Sequence, residues 1–237
     1  MGRPPPAGRR LRAVSAGLGA TTTLQTTGAP VAPPAPLQVA ILLGTTREGR
    51  QGQRAALFCQ RQLQRAGHRV TLVDPLATPL PMLEKAYQHY EDDELPRPAV
   101  MEEIAAALQS ADALVCVSAE YNHTIPPALT NLLGHFGPSF LLNGKPAGLV
   151  TYSAAWHGGR FAAAHLRGLC GELGLITTPN IHSIGAVYEQ LDPDGNETEI
   201  GSAAGVSRRF ERFAMQLEWF AKALRNHREA HGVEWGR

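Results

Sequence analysis

From residue 38 to residue 228 the sequence alternates two kinds of apolar pattern, and that alternation restricts the fold more than any other feature of the chain. Short apolar-rich runs at 39–43, 70–73, 113–118, 147–152 and 175–184 read as strands, most of them buried on both faces. Between them apolar residues return every three or four positions, as helices require. Examples are Ala55, Cys59, Leu63 and Ala66, then Val100, Ile104, Ala107 or Leu108, and Ala111, then Leu129, Leu132, Leu133 and Phe136, and Phe161, His165, Leu169 and Leu173. A final stripe of Val206, Phe210, Phe213, Leu217, Phe220 and Leu224 predicts a helix over 202–228. Residues 75–98 are proline-rich and acidic and read as an irregular excursion with a short helix over 82–90. Strands alternating with helices predict an α/β domain, a doubly wound five-stranded parallel sheet with helices on both faces joined by right-handed crossovers.

Composition agrees with a single folded unit. The chain has 237 residues, 43% of them hydrophobic, which suits one large domain with a tail. Lysine and arginine number 22 against 21 acids, and a net charge of +1 gives no general attraction to nucleic acid or an anionic membrane. The balance is uneven, because residues 1–37 hold four arginines, no acid and seven of the 18 prolines, leaving −3 for residues 38–237. The expected organisation is a disordered Pro/Arg/Thr-rich extension over 1–37, a folded domain over 38–228 and a short tail over 229–237. Arginine-rich, acid-free starts also serve as transit peptides, so the expected location is cytoplasmic, or mitochondrial or plastid if 1–37 direct import. No run reaches the roughly 18 uninterrupted apolar residues that span a bilayer, so no membrane partner is expected. Cys59, Cys116 and Cys170 are odd in number and widely spaced, which fits neither a disulfide framework nor a zinc site. The nine histidines form no cluster at metal-ligand spacing, so no metal is expected.

In open α/β sheets ligands gather beyond the carboxyl ends of the strands, and three segments at such ends are rich in chemistry. After the first strand, Gly44, Thr45, Thr46, Arg47, Glu48, Gly49, Arg50, Gln51, Gly52 and Gln53 supply hydroxyls, two guanidiniums and three glycines before a helix start. Free N–H groups and the positive end of the helix dipole favour an anion there, and arginine can clamp a phosphate. Spacing excludes two other phosphate motifs: Arg50 and Gln51 stand where a P-loop needs Lys and Ser or Thr, and the glycines do not fit the dinucleotide fingerprint. After the third strand come Glu120, Tyr121, Asn122, His123 and Thr124. After the fourth come Ser153, Ala154, Ala155, Trp156, His157, Gly158 and Gly159, whose glycine pair lets a ligand approach backbone N–H groups.

Together these segments resemble the NADPH-dependent FMN reductase family, which includes quinone, azo and chromate reductases. The resemblance covers about residues 38–225. It rests on Gly44, Thr45, Arg47 and Arg50; on Glu120, Tyr121, Asn122, Thr124, Pro126, Leu129 and Asn131; and on Gly144, Lys145 and Pro146 with Leu166 and Arg167. Two positions depart from the family pattern: Ala119 stands for the usual proline, and Gly52 for a frequent asparagine.

The resemblance implies a flavodoxin-like fold with FMN as cofactor and NADPH or NADH as hydride donor. It places the phosphate on Thr45, Thr46, Arg47, Glu48, Gly49, Arg50, Gly52 and Gln53, and the ring against Glu120, Tyr121, Asn122, His123 and Thr124 with Ser153, Ala154, Ala155, Gly158 and Gly159. The flavin N5 is then the reactive centre, turnover is ping-pong, and no side chain acts as a catalytic acid or base. The partners implied are a small-molecule electron acceptor (quinone-like, azo, metal-oxyanion or flavin) and further copies of the chain as a homodimer or homotetramer. The alternative is a non-enzymatic flavodoxin-like electron carrier or redox-responsive flavin-binding partner. A phosphoacceptor switch and a serine hydrolase are excluded, because Ser118-Ala119-Glu120 ends strand three and no G-x-S-x-G string occurs.

Overall fold

In the computed structural model, which describes residues 35–233 apart from Glu94 and Pro138, the elements run β1 (Gln38–Leu43), α1 (Gly52–Arg65), β2 (Arg69–Val73), α2 (His89–Asp92) and α3 (Ala99–Ser110). They continue with β3 (Ala113–Ala119), α4 (Pro127–Phe136), β4 (Pro146–Tyr152), α5 (Arg160–Glu172) and β5 (Ile176–Ile184). The chain closes with α6 (Val187–Gln190), α7 (Glu199–Ala204) and α8 (Val206–His231). All strand pairs are parallel, in the order β2-β1-β3-β4-β5, so the α/β sheet expected from the alternation is present. The expectations for residues 1–34 and 234–237 fall outside the described residues.

Successive strand residues point to opposite faces, and each face is sealed by its own helices. On one, Phe58, Cys59 and Leu63 of α1 and Phe210, Phe213 and Leu217 of α8 pack on Val39, Ile41, Leu43, Val115 and Val117. On the other, Met101, Ile104 and Leu108 of α3, Leu129, Leu133 and Phe136 of α4, and Leu166 and Cys170 of α5 pack on Ala40, Leu42, Leu114, Cys116 and Leu149. Every residue of β3 and β4 is buried, as strands covered on both faces must be. The three cysteines are buried and free.

Three helix expectations need correction. The face of α5 that is buried carries Ala162, Ala163, Leu166 and Cys170, whereas Phe161 and His165 of the expected stripe are exposed. Within 82–90 the only helix is its last turn, which belongs to α2. The preceding chain bends and is tied to α4: the Asn131 amide accepts from Leu83 N–H and donates to the Pro81 carbonyl, both at 2.8 Å, and His135 Nε2 lies 3.0 Å from that same oxygen. Over 202–228 the helix does not start at Ser202. Gly205, at φ 67, separates α7 from α8, which begins one residue later at Val206 and runs to His231. The left-handed turn is one that glycine adopts without strain. No described helix is long and apolar enough to cross a membrane.

Lys145 has a local task that its sequence motif does not disclose. Its buried ammonium donates to the carbonyls of Leu108, at 2.5 Å, and Gln109, at 3.0 Å, closing the open end of α3. Burial first, and the nearby Arg228 charge second, pull its pKa down to about 8 against the opposing pull of Asp112. Lys145→Met leaves those carbonyls without a buried donor and should cost about 1–3 kcal/mol, read as a lower melting temperature with an unchanged far-UV spectrum. The unfolded lysine keeps its proton to about pH 10, so between about pH 8 and 10 the unfolded chain binds more protons than the native one. The stability of the wild type relative to Lys145→Met should therefore rise across that window.

Candidate active site

Strand order reverses between β1 and β3, whose connections leave for opposite ends of the sheet. The turns after β1, β3 and β4 therefore end on one rim. They enclose an open cavity of about 210 Å³ whose lining includes Arg47, Glu48, Gly49 and Arg50 from the first turn, Glu120 and Tyr121 from the second, and Ser153 and Ala154 from the third. Gln51, Ala119 and Tyr152 complete the lining. The structure thus brings eight of the residues expected to contact the ligand to one cavity, together with Gln51 and Ala119 from the same segments, and adds Tyr152, which no motif marked. Asn122, His123, Thr124, Ala155, Gly158 and Gly159 lie on the same turns outside that lining. Thr46 instead lines a neighbouring cavity of about 250 Å³ with Pro75, Leu80, Met82 and Asn131.

The first turn separates its two arginines. Arg47 is exposed, with its guanidinium 5.4 Å from the centre of the Tyr121 ring, a cation–π distance, and it has no ion pair among the described residues. Arg50 is engaged on every side. One nitrogen donates to the Thr45 carbonyl and to Asp74 Oδ1, both at 2.6 Å, and the other to Asp74 Oδ2 at 2.5 Å. Its side chain is 9% exposed, so this bidentate pair fastens the turn to the end of β2. Burial pushes the Asp74 carboxyl up, but the Arg50 hydrogen bonds and charge and the Leu76 N–H outweigh it and hold the group below the usual carboxylate value.

Three helices start at this rim: α4 opens on Pro126 and Pro127, which have no N–H to offer, and the starts of α1 and α5 are treated differently. At α5, Glu120 Oε2 accepts the N–H groups of Phe161 at 2.9 Å and Ala162 at 3.2 Å, so the protein's own carboxylate meets the positive end of the dipole. At α1 the cap residue Gln51 makes no side-chain bond to the helix, and the first turn holds no acid. That start remains open to an external anion, with Arg47 beside it. A β-carbon at residue 52 would lie 2.3 Å from the Tyr152 hydroxyl and 2.7 Å from Thr45 Oγ1, so only glycine fits at the first residue of α1. This accounts for Gly52 where the motif carries asparagine.

The other two turns are shaped internally. Tyr121 and Thr124 exchange both backbone hydrogen bonds, at 3.1 and 3.0 Å, across Asn122 at φ 50 and His123 at φ 63. That two-residue turn sets the His123 ring 4.6 Å from the Phe161 ring. Ser153 Oγ donates to the Ala155 carbonyl and accepts the Gly158 N–H at 3.0 Å, so its hydroxyl braces its own turn. Trp156 stands at the tip, 69% exposed. Among the described residues no group of His, Cys, Asp and Glu is placed to hold a metal ion.

The donor set fits a phosphorylated flavin. An uncapped helix start, an unpaired arginine and a hydroxyl-bearing turn suit a phosphate. The aromatic and glycine-containing turns beside it suit a planar ring. Residues 37–189 match the family model described as NADPH-dependent FMN reductase. The quinone reductase of Escherichia coli strain K12 is 29% identical over 164 residues, 68% of this chain and 84% of that protein. The FMN-dependent NADH:quinone oxidoreductase of Shewanella loihica is 31% identical over 163 residues, 61% of this chain and 83% of that protein. Among solved structures, the flavoenzyme NAD(P)H:acceptor oxidoreductase FerB of Paracoccus denitrificans superposes with a TM-score of 0.61 at 18% identity, covering 78% of this chain and 98% of its own.

The two arginines should separate experimentally. Removing one member of a largely buried pair costs about 3 kcal/mol, so Arg50→Ala should lower the melting temperature of the flavin-free protein, whereas Arg47→Ala should leave it unchanged. The Asp74 pKa is lowered in the folded state, so its contribution is present above the usual carboxylate value and is lost as pH falls through the folded value. The stability gap between wild type and Asp74→Asn should therefore be widest near neutral pH and close in acid. A gap that persists under acid conditions would place the effect elsewhere.

Proposed function

The chain belongs to the NADPH-dependent FMN reductase family, and from that premise we propose that it binds FMN on this rim and uses NADPH or NADH to reduce a quinone-like, azo, metal-oxyanion or flavin acceptor. The observation that carries the reading is the open start of α1, an anion seat with Arg47, unpaired among the described residues, beside it, on a rim where the start of α5 is already met by Glu120. When bound, FMN supplies a two-electron centre that accepts a hydride and passes it to an acceptor. Everything else is the work of this chain's residues.

The phosphate is assigned to Arg47, the backbone of Thr45, Thr46, Glu48, Gly49 and Arg50, and the first N–H groups of α1 at Gly52 and Gln53. Arg50 acts by holding that turn in shape through Asp74 and the Thr45 carbonyl. The ring is assigned to Tyr121, Asn122, His123 and Thr124 on one side and to Ser153, Ala154, Ala155, Gly158 and Gly159 on the other. Glu120 ties these two turns together through the start of α5, and Ser153 fixes the second by its internal bonds. No side-chain proton donor is assigned: His123 and His157, the histidines carried by these turns, are both exposed. Leu76, Met82 and Leu83 are exposed where the second cavity opens beside this rim, and a second copy of the chain is the proposed cover. Equilibrium sedimentation should give at least twice the chain mass.

Anaerobic titration of the FMN-loaded protein with NADPH and with NADH decides between reductase and carrier. Rapid bleaching of the visible flavin band supports the reductase. A band that stays oxidised while dithionite still bleaches it overturns the reading in favour of an electron carrier. Arg47→Ala should weaken FMN binding about 10-fold, as loss of a charge-assisted phosphate contact does, with no change in fold.

A further inference from the structure

Tyr152 ends β4 and belongs to no motif, yet its side chain crosses beneath the first turn. It is 4% exposed, lines the cavity, and carries its hydroxyl to 3.3 Å from Thr45 Oγ1. That hydroxyl occupies the space any side chain at residue 52 would take, since a β-carbon there would come within 2.3 Å of it. The first residue of α1 is therefore a glycine with a tyrosine oxygen set against its Cα. Arg50, the residue the turn would otherwise offer to an anion, is held by Asp74 and the Thr45 carbonyl.

A neutral hydroxyl thus stands at the start of α1, which no side chain caps. Burial pushes the Tyr152 phenol up more than the Thr45 bond and the Arg50 charge pull it down, so it keeps its proton through the physiological range. In the Thr45–Tyr152 pair one hydroxyl donates to the other. The pair as a whole keeps one hydrogen to give outward, and an anion at the start of α1 is the acceptor the surroundings favour.

We propose that Tyr152, paired with Thr45, is a phosphate-recognition residue of this chain, and that it makes the site prefer phosphorylated over unphosphorylated flavin. This rests on the FMN reading above. Tyr152→Phe keeps the ring in its core position and removes only the hydroxyl. Fluorescence titration should show FMN binding weakened about 10-fold, the size expected for one hydrogen bond to a charged group, with riboflavin binding unchanged. In the flavin-free protein, inorganic phosphate should raise the melting temperature of the wild type and raise that of Tyr152→Phe less. Gly52→Ala, which displaces the same hydroxyl without removing it, should show the same selective loss for FMN.

Unchanged FMN affinity in Tyr152→Phe, or an equal loss for FMN and riboflavin, overturns the proposal while leaving the FMN reading intact. A wild type that binds neither flavin and gains no stability from phosphate overturns both.

Discussion

Reversal of strand order between β1 and β3 is the constraint from which the rest of this structure follows. The chain leaving β1 passes through α1 to β2 on one side, and the chain leaving β3 passes through α4 to β4 on the other. Right-handed crossovers place α1 on one face of the sheet and α4 on the opposite face, so the turns part above β1 and β3 and leave a crevice. The turn after β4, the next strand along, closes its third side. A cavity at this position needs no special residues. What it can hold depends on how the turns are charged and braced.

Charge is distributed there by a division of labour among similar groups. Glu120 and Arg50 are both charged residues on rim turns, and both are committed to the protein itself, one to the start of α5 and the other to Asp74. Their commitment leaves Arg47 without an ion pair among the described residues and the start of α1 without a side-chain cap. Bracing by internal partners also keeps the turns in place before any ligand arrives, as Ser153 does within the third turn and the Tyr121–Thr124 pair within the second. Preorganisation of this kind lowers the ordering cost of binding.

Much of this was legible in the sequence. The central strands follow from apolar runs too long for a half-exposed strand, and the stripe that starts at Val206 marks the buried face of α8. The three turns were legible because strand ends in an α/β sheet are where unusual polar residues gather, and the motifs there are those of the family. Other features had no such signal. Asn131 belongs to a motif, but that it ties down residues 81–83 is a contact across 48 residues of chain in one case and 50 in the other. Asp74 looks like an ordinary strand-end acid until Arg50 meets it from 24 residues away. Tyr152 reads as one more apolar residue closing β4.

The sequence by itself determined the layers, the strands and the set of turns that carry chemistry, because burial imposes periods of two and 3.6 that are written locally. Tertiary structure alone decided which of two arginines is free, which of two helix starts is open, and which tyrosine reaches the glycine at residue 52. Those outcomes depend on distances between strands that are neighbours in the sheet but far apart in the chain, and pattern along a chain does not encode the distance at which two charges neutralise each other.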